Sequence, residues 1–247
     1  MKKKIIEVCA SSVQSALNAQ KAGAQRVELC GGLELGGITP SPSTIRKTKE
    51  LLDIDVFVLI RPRGGDFCYS RLEMEIIKED ILFCKKNNID GVVIGMLEKD
   101  GSINFNQLKE LIDLASPMQV TFHRAFDRAA DPFLALEKII EAGAQRILTS
   151  GQKATAFEGR FLLRELVKKS NNRITILAGA GINRDNILNI AKVSKTNEFH
   201  LSGKTLVKSP MTNKETTVQF SQDGMSENDY FETNANTVKV IVQMINM

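Results

Sequence analysis

No stretch of this chain is apolar enough, for long enough, to cross a membrane. A bilayer-spanning helix needs about 20 consecutive apolar residues, and the sequence holds no such run. The start, Met1-Lys2-Lys3-Lys4, carries the charge of a secretory leader, but only two isoleucines follow before Glu7. A leader without an apolar segment does not direct export, so a cytoplasmic location with no membrane contact is expected. Charge of one sign is also lacking: 33 Lys and Arg against 29 Asp and Glu leave a net +4. The basic residues are scattered along amphipathic segments, which implies solubility and argues against nucleic acid as a partner. Tryptophan is absent, yet 43% of the residues are hydrophobic and 25% charged, the composition of a folded domain rather than a disordered chain. The four cysteines, Cys9, Cys30, Cys68 and Cys84, include no C-x-x-C pair. A structural zinc knuckle is therefore not expected, and inside the cell the four should remain thiols.

What is present is a rhythm. Short runs rich in Val, Ile, Leu and Phe fall at Ile5–Cys9, Arg26–Cys30, Val56–Ile60, Gly91–Gly95, Gln119–His123, Arg146–Ser150, Ile174–Ala178 and Glu198–Ser202. They read as strands buried on both faces, the mark of a parallel sheet. Helical segments separate them, with recognisable starts. Ser70 and Glu73 form a capping box ahead of Met74–Lys86. Ser41-Pro42 and Asp131-Pro132 each place a cap before a first-turn proline, and Asn183 is expected to cap Arg184–Val193. Gly23 and Gly143 supply left-handed residues at helix ends. Eight such units, with a last helix at Ala235–Asn246, predict one α/β domain over residues 1–247, a single TIM-type (β/α)8 barrel. An open doubly wound sheet would need an edge or a reversal that the sequence does not show. Ala22-Gly23-Ala24-Gln25-Arg26 recurs as Ala142-Gly143-Ala144-Gln145-Arg146, between the first and second strands and between the fifth and sixth. This echo fits two related half-barrels.

In this fold the carboxyl ends of the strands carry function and the opposite end carries stability. Polar residues collect at those ends. Alternation along the first two strands turns Val8, Val27 and Leu29 toward the helices, and Glu7, Cys9, Glu28 and Cys30 toward the lumen or its mouth. A buried carboxylate needs a partner, which Arg61, Arg63 or Arg124 could supply. Glu7 and Glu28 then belong either to a structural ion-pair network or to an acid–base site. Cys9 and Cys30 converge at the mouth. Two thiolates there would suit a soft ion such as Cu(I), although free cysteines also serve as small buried hydrophobes. Cys84 has helical spacing and belongs to the core, while Cys68 lies on the rim and could approach the pair.

Three features point to an anion. Arg61-Pro62-Arg63-Gly64-Gly65-Asp66 sets two guanidiniums beside flexible backbone, a grip for carboxylate or phosphate. Gly179 and Gly181 leave the seventh strand, and Ser202 leaves the eighth. Those loops, with a helix N-terminus, form the usual phosphate cradle of this fold. His123 and His200, the only histidines, both end strands, and Arg124 follows His123. From Gly203 to about Asn234 a polar stretch containing Met211, Met225 and Tyr230 is too long for an ordinary barrel loop. It reads as a lid or an oligomer contact.

Glu7-Val8-Cys9, Glu28-Leu29-Cys30, Arg61-Pro62-Arg63-Gly64-Gly65-Asp66-Phe67 and Thr121-Phe122-His123-Arg124-Ala125-Phe126-Asp127 together resemble the CutC copper homeostasis family. Gly36-Gly37-Ile38-Thr39-Pro40-Ser41, Leu148-Thr149-Ser150-Gly151, Gly179–Ile182 and Glu198-Phe199-His200 extend the resemblance past the eighth strand. It implies a barrel, a cytosolic homo-oligomer and Cu(I) handling, with Cys9 and Cys30 at the positions of the family's proposed copper thiolates. Two departures stand out: Ala180 interrupts the family's triple-glycine loop, and Cys68 has no counterpart in its pattern. Two functions are therefore expected in competition. One is copper binding through Cys9 and Cys30. The other is an enzyme on a small anionic, phosphorylated or sugar-like ligand, with Glu7 or His123 as acid–base, Arg61, Arg63 and Arg124 as clamp, and Gly179, Gly181, His200 and Ser202 completing the seat.

Overall fold

A computed structural model describes residues 4–212 and 228–246. Eight parallel strands, β1 (Ile5–Ala10), β2 (Arg26–Leu29), β3 (Asp55–Leu59), β4 (Gly91–Ile94), β5 (Gln119–Phe122), β6 (Arg146–Thr149), β7 (Thr175–Ala178) and β8 (Glu198–Leu201), pair in chain order. Strand β8 closes on β1 with Glu7 beside His200. Around them lie α1 (Val13–Lys21), α2 (Pro42–Leu51), α3 (Arg71–Lys86), α4 (Phe105–Ala115), α5 (Pro132–Ala142), α6 (Arg160–Ser170), α7 (Ile187–Ser194) and α8 (Ala235–Asn246). The (β/α)8 barrel is as expected. No helix among the described residues is long and apolar enough to cross a membrane.

Alternation along the strands divides the interior in two. Ile6, Val8, Val27, Leu29, Val56 and Val58 face outward and pack with Ile77, Ile81, Leu108 and Leu136 of the helices. Burying each such side chain contributes roughly 1.5–3 kcal/mol. Inside the barrel, a smaller cluster joins Cys9, Cys30, Phe57, Leu59 and Val93. Phe57 fills the space that Gly91 leaves empty, since a Cβ on Gly91 would lie 2.5 Å from its ring.

The helix starts follow their caps. Ser70 and Glu73 close a capping box on α3, Ser41 caps α2, and the Asp131 carboxylate accepts from the first-turn N–H groups of α5. Asn183 does not cap the seventh helix. That helix begins at Ile187 after Asn186, because Asn183 Oδ1 accepts instead from Asp185 N and Asn186 Oδ1 accepts from Asn183 N. The stretch after β8 is only partly loop. Strands β9 (Lys204–Val207) and β10 (Tyr230–Thr233) form an antiparallel pair, tied to α1 by Asn18 Nδ2 donating to Thr233 O and by Thr233 N donating to Ser15 Oγ. Met225 and the lysines at 2 and 3 lie outside the described residues.

The repeated pentapeptide has one structural job in both places. Gln25 Oε1 accepts from Ile6 N at 2.8 Å and its Nε2 donates to Gly23 O; Gln145 Oε1 accepts from Val120 N at 2.6 Å and its Nε2 donates to Gly143 O. Each glutamine thus pins the entry of a strand to the neighbouring helix end. Gln25→Ala and Gln145→Ala should each lower the unfolding free energy by about 1 kcal/mol. The double variant should lose the sum, because the sites are far apart. Urea denaturation measures this, and unequal or negligible losses would show that the two halves are not equivalent.

Candidate functional site

The deep layer of the lumen is ionic. Glu7, fully buried, accepts a hydrogen bond from Arg26 Nε, and its other oxygen meets His200 Nδ1 at 2.7 Å. Arg26 also pairs with Glu198, which accepts from Arg146 Nε at 3.0 Å. Both guanidiniums stack on Phe57, at 4.9 and 5.2 Å from its ring centre. Burial works against ionisation of Glu7, but the Arg26 charge and the His200 hydrogen bond outweigh it and hold the carboxyl down at about 2. The partners of Glu7 are therefore Arg26 and His200, not the rim arginines. The same i−2 alternation that turned Glu28 inward also turns Arg26 inward. It likewise relates Glu198 to His200, a signal the sequence contained.

Above this layer Cys9 Sγ and Cys30 Sγ face each other at 3.6 Å, both buried. Cys9, Glu28 and His200 each present a donor atom within 4.8 Å of the others, a group able to hold a metal ion. Because Nδ1 of His200 is taken by Glu7, its Nε2 is the nitrogen left for that group. A carboxylate behind the imidazole orients it as in many metal sites. One Glu28 oxygen, Oε2, is buried without a hydrogen-bond partner. Burial, opposed by His200 and reinforced by the Glu7 charge, pushes the Glu28 carboxyl up to about 7. The hydrogen bond with Cys30, which holds Cys9 in its thiol form, and burial push Cys9 well above its usual range. His200 is raised, because Glu28 and Glu7 outweigh its burial.

Cys9, Glu28, Arg61, His123, Arg124, Gly181, His200 and Ser202 line one cavity of about 290 Å³ at the carboxyl end of the barrel. Thus His123 and His200, from distant strands, meet in one place. Other expected residues stand elsewhere. Arg63 is drawn to Glu73 and Asp66 outside this lining. Gly179 is wedged against Leu148 and His200, where a Cβ would meet Leu148 at 2.5 Å. Cys68 lies on the half-buried rim and does not line the cavity; Cys84 is fully buried on α3, as its spacing predicts. The helix after β7 starts only at Ile187, well past Gly181, which lines the cavity together with Ser202. Ala180 adopts a left-handed φ of 83° there, a conformation that favours glycine. Arg124 donates to Asp127 and Ser150, and Asp127 also accepts from the Ser150 and Gln152 N–H groups. Asp127 thereby fixes the loop after β6, an ordering role that sequence reading did not single out.

The profile of the CutC family matches residues 4–205. The chain belongs to the CutC family. A CutC protein of Histophilus somni is 47% identical over 206 residues, covering 83% of this chain and 85% of its own length. One from Parabacteroides distasonis is 44% identical over 97% of this chain and all of its own length. Among solved structures, a CutC from Streptococcus agalactiae superposes with a TM-score of 0.77 at 32% identity, covering 81% of this chain and 98% of that one. A phosphoribosylanthranilate isomerase from Thermotoga maritima, at 13% identity and a TM-score of 0.58 over 97% of each chain, shares the fold alone.

In this CutC barrel two carboxylates shift in opposite directions, which gives a pH test on metal-free protein. Glu28 is raised from 4.5 to about 7, so the folded state holds its proton more tightly than the unfolded state. Its ionisation costs stability as pH rises from about 4.5 through about 7. Glu28→Gln should therefore be more stable than wild type above pH 7, by about 3 kcal/mol, with the gain vanishing toward pH 4.5. Glu7 contributes the reverse, stability that is present above about 4.5 and lost as pH falls toward 2. Thermal or urea melts across this range read both, and a pH-independent Glu28→Gln difference would contradict the assignment.

Proposed function

We propose that this protein is a cytoplasmic copper-handling protein that takes Cu(I) as cargo between the thiolates of Cys9 and Cys30. The observation that carries the reading is the 3.6 Å approach of the two buried sulfurs, with Cys9 lining the cavity at the barrel mouth. Soft thiolates select a soft monovalent ion, and its charge offsets the thiolates that the nearby carboxylates otherwise disfavour. The Streptococcus agalactiae relative is named for copper homeostasis, which supports the same reading. A reducing compartment keeps the pair as thiols. Exposed Leu72 and Ile76, one turn apart on α3, support a homo-oligomer as the working form.

A second reading is an enzyme acting on a small anionic substrate. It is favoured by Glu28, whose unpartnered carboxylate oxygen shares the cavity with His123, Arg61 and Arg124. Proton transfer would then fall to Glu28 and His200. Glu7, saturated by Arg26 and His200, acts as a fixed anion that positions the imidazole.

Anaerobic Cu(I) titration against a chromophoric competitor tests the first reading. One equivalent should bind to wild type and stoichiometric uptake should be lost in Cys9→Ser and in Cys30→Ser. Apparent affinity should rise with pH, because the metal displaces protons from thiols. Undiminished uptake in both variants sinks the proposal.

A further inference from the structure

Among the described residues, Arg61 is a buried cation with no carboxylate in an ion pair with it. Its Nη1 donates to Leu35 O at 3.0 Å and Gly37 O at 2.8 Å, and its Nη2 donates to Gly65 O at 2.9 Å. These bonds use three of the five guanidinium hydrogens. Nε is buried and has no partner. Nε–H and the second Nη2 hydrogen remain, with the Tyr69 hydroxyl, itself buried without a well-formed partner, close to the guanidinium; donors of this type meet a carboxylate or phosphate bidentately. Arg124, on the same wall, is already neutralised by Asp127 at 2.8 Å. Arg61 is not.

His123 stands nearby with the matching defect. Its Nδ1 accepts from Ala125 N at 3.1 Å, so the ring proton sits on Nε2. That nitrogen is buried and also lacks a partner. Burial, then the Arg61 charge, lowers its titration to about 3, which makes it a neutral donor at all ordinary pH. The Phe67 ring flanks both groups, 5.1 Å from the Arg61 guanidinium and 5.0 Å from the His123 ring. Both line the 290 Å³ cavity. Leaving a buried donor unsatisfied is costly, and here two unsatisfied donors, one of them charged, share a wall.

We infer that Arg61 and His123 form an oxyanion seat that takes the carboxylate or phosphate group of a small ligand in the barrel mouth. The seat is carried by β3 and β5, not by the loops after β7 and β8 on which phosphate usually rests in this fold. It deepens the second reading above by naming the group that is recognised, but binding requires no reaction and no copper. The cavity's size limits the ligand to a small metabolite-sized molecule.

The test uses metal-free full-length protein and two probes, inorganic phosphate and glycolate, at matched ionic strength. In protein labelled with 15N-histidine, the His123 Nε2 resonance should shift saturably with at least one probe. Saturation by phosphate alone assigns a phosphate group, by glycolate alone a carboxylate, and by both a general oxyanion seat. Calorimetric titration should show the affinity falling about tenfold or more, some 1.4 kcal/mol, in Arg61→Lys and in His123→Asn. Asparagine can still accept from Ala125 N through Oδ1 and so keeps the local turn, but its shorter amide places no donor at the Nε2 position. If Arg61→Lys fails to fold, His123→Asn decides alone. No saturable shift with either probe, or undiminished affinity in every folded variant, overturns the seat. Copper uptake is read separately, and failure of one leaves the other standing.

Discussion

A carboxylate with no route to water governs this barrel. Glu7 is sealed in the lumen and survives as an anion only because Arg26 and His200 saturate it. Glu198 and Arg146 extend the pairing, so two carboxylates and two guanidiniums link β1, β2, β6 and β8. Desolvating such a set costs about as much as its attractions return, and an apolar layer would serve stability equally well. Its effect is positional. Each strand contributing a charge has its register fixed, and the His200 imidazole is turned so that one nitrogen serves Glu7 and the other serves the mouth.

What lies above follows from where that compensation stops. Glu28, one layer up, receives no guanidinium, and Cys9 stands among Glu7, Glu28 and Cys30. This wall therefore disfavours further negative charge and prefers a cation. The opposite imbalance holds at Arg61 and His123, whose free donors call for an anion. One cavity thus contains both a cation-hungry group and an anion-hungry group. That polarity explains why copper binding and recognition of an anionic metabolite both fit the chemistry, and why neither excludes the other.

The strand runs, helix caps and inward alternation were legible because period and cap chemistry are local. The inward facing of Cys9 and Cys30 was legible for the same reason, but the register was not: it sets Cys9 beside Glu28 and leaves Cys30 two residues further on. Arginine partners were not legible. Composition nominated Arg61, Arg63 and Arg124 for Glu7, but a long side chain bonds to whatever the fold brings within reach. For Arg61 that was backbone carbonyls of two loops, and for Arg63 the capping glutamate of α3. The helix after β7 was misplaced because Asn183 can satisfy a turn as readily as a cap. Only three-dimensional neighbours decide between these.

The half-barrel echo bears on how the two imbalances arose. Gln25 pins Ile6 as Gln145 pins Val120, and the register continues the match: Glu7 pairs with Arg26 as Thr121 pairs with Arg146. Counting on by two along each strand sets Cys9 against His123, Glu28 against Leu148 and Cys30 against Ser150. The arginines occupy matching positions in both halves and meet at one carboxylate, Glu198. The positions above them face no such constraint, and there the halves diverge. The first half carries the thiols and the unpaired carboxylate, while the second carries His123 and its neutral donor. A barrel with one shared ionic floor can therefore carry unlike side chains, Cys9 and His123 among them, at matching heights of its two halves around a single opening.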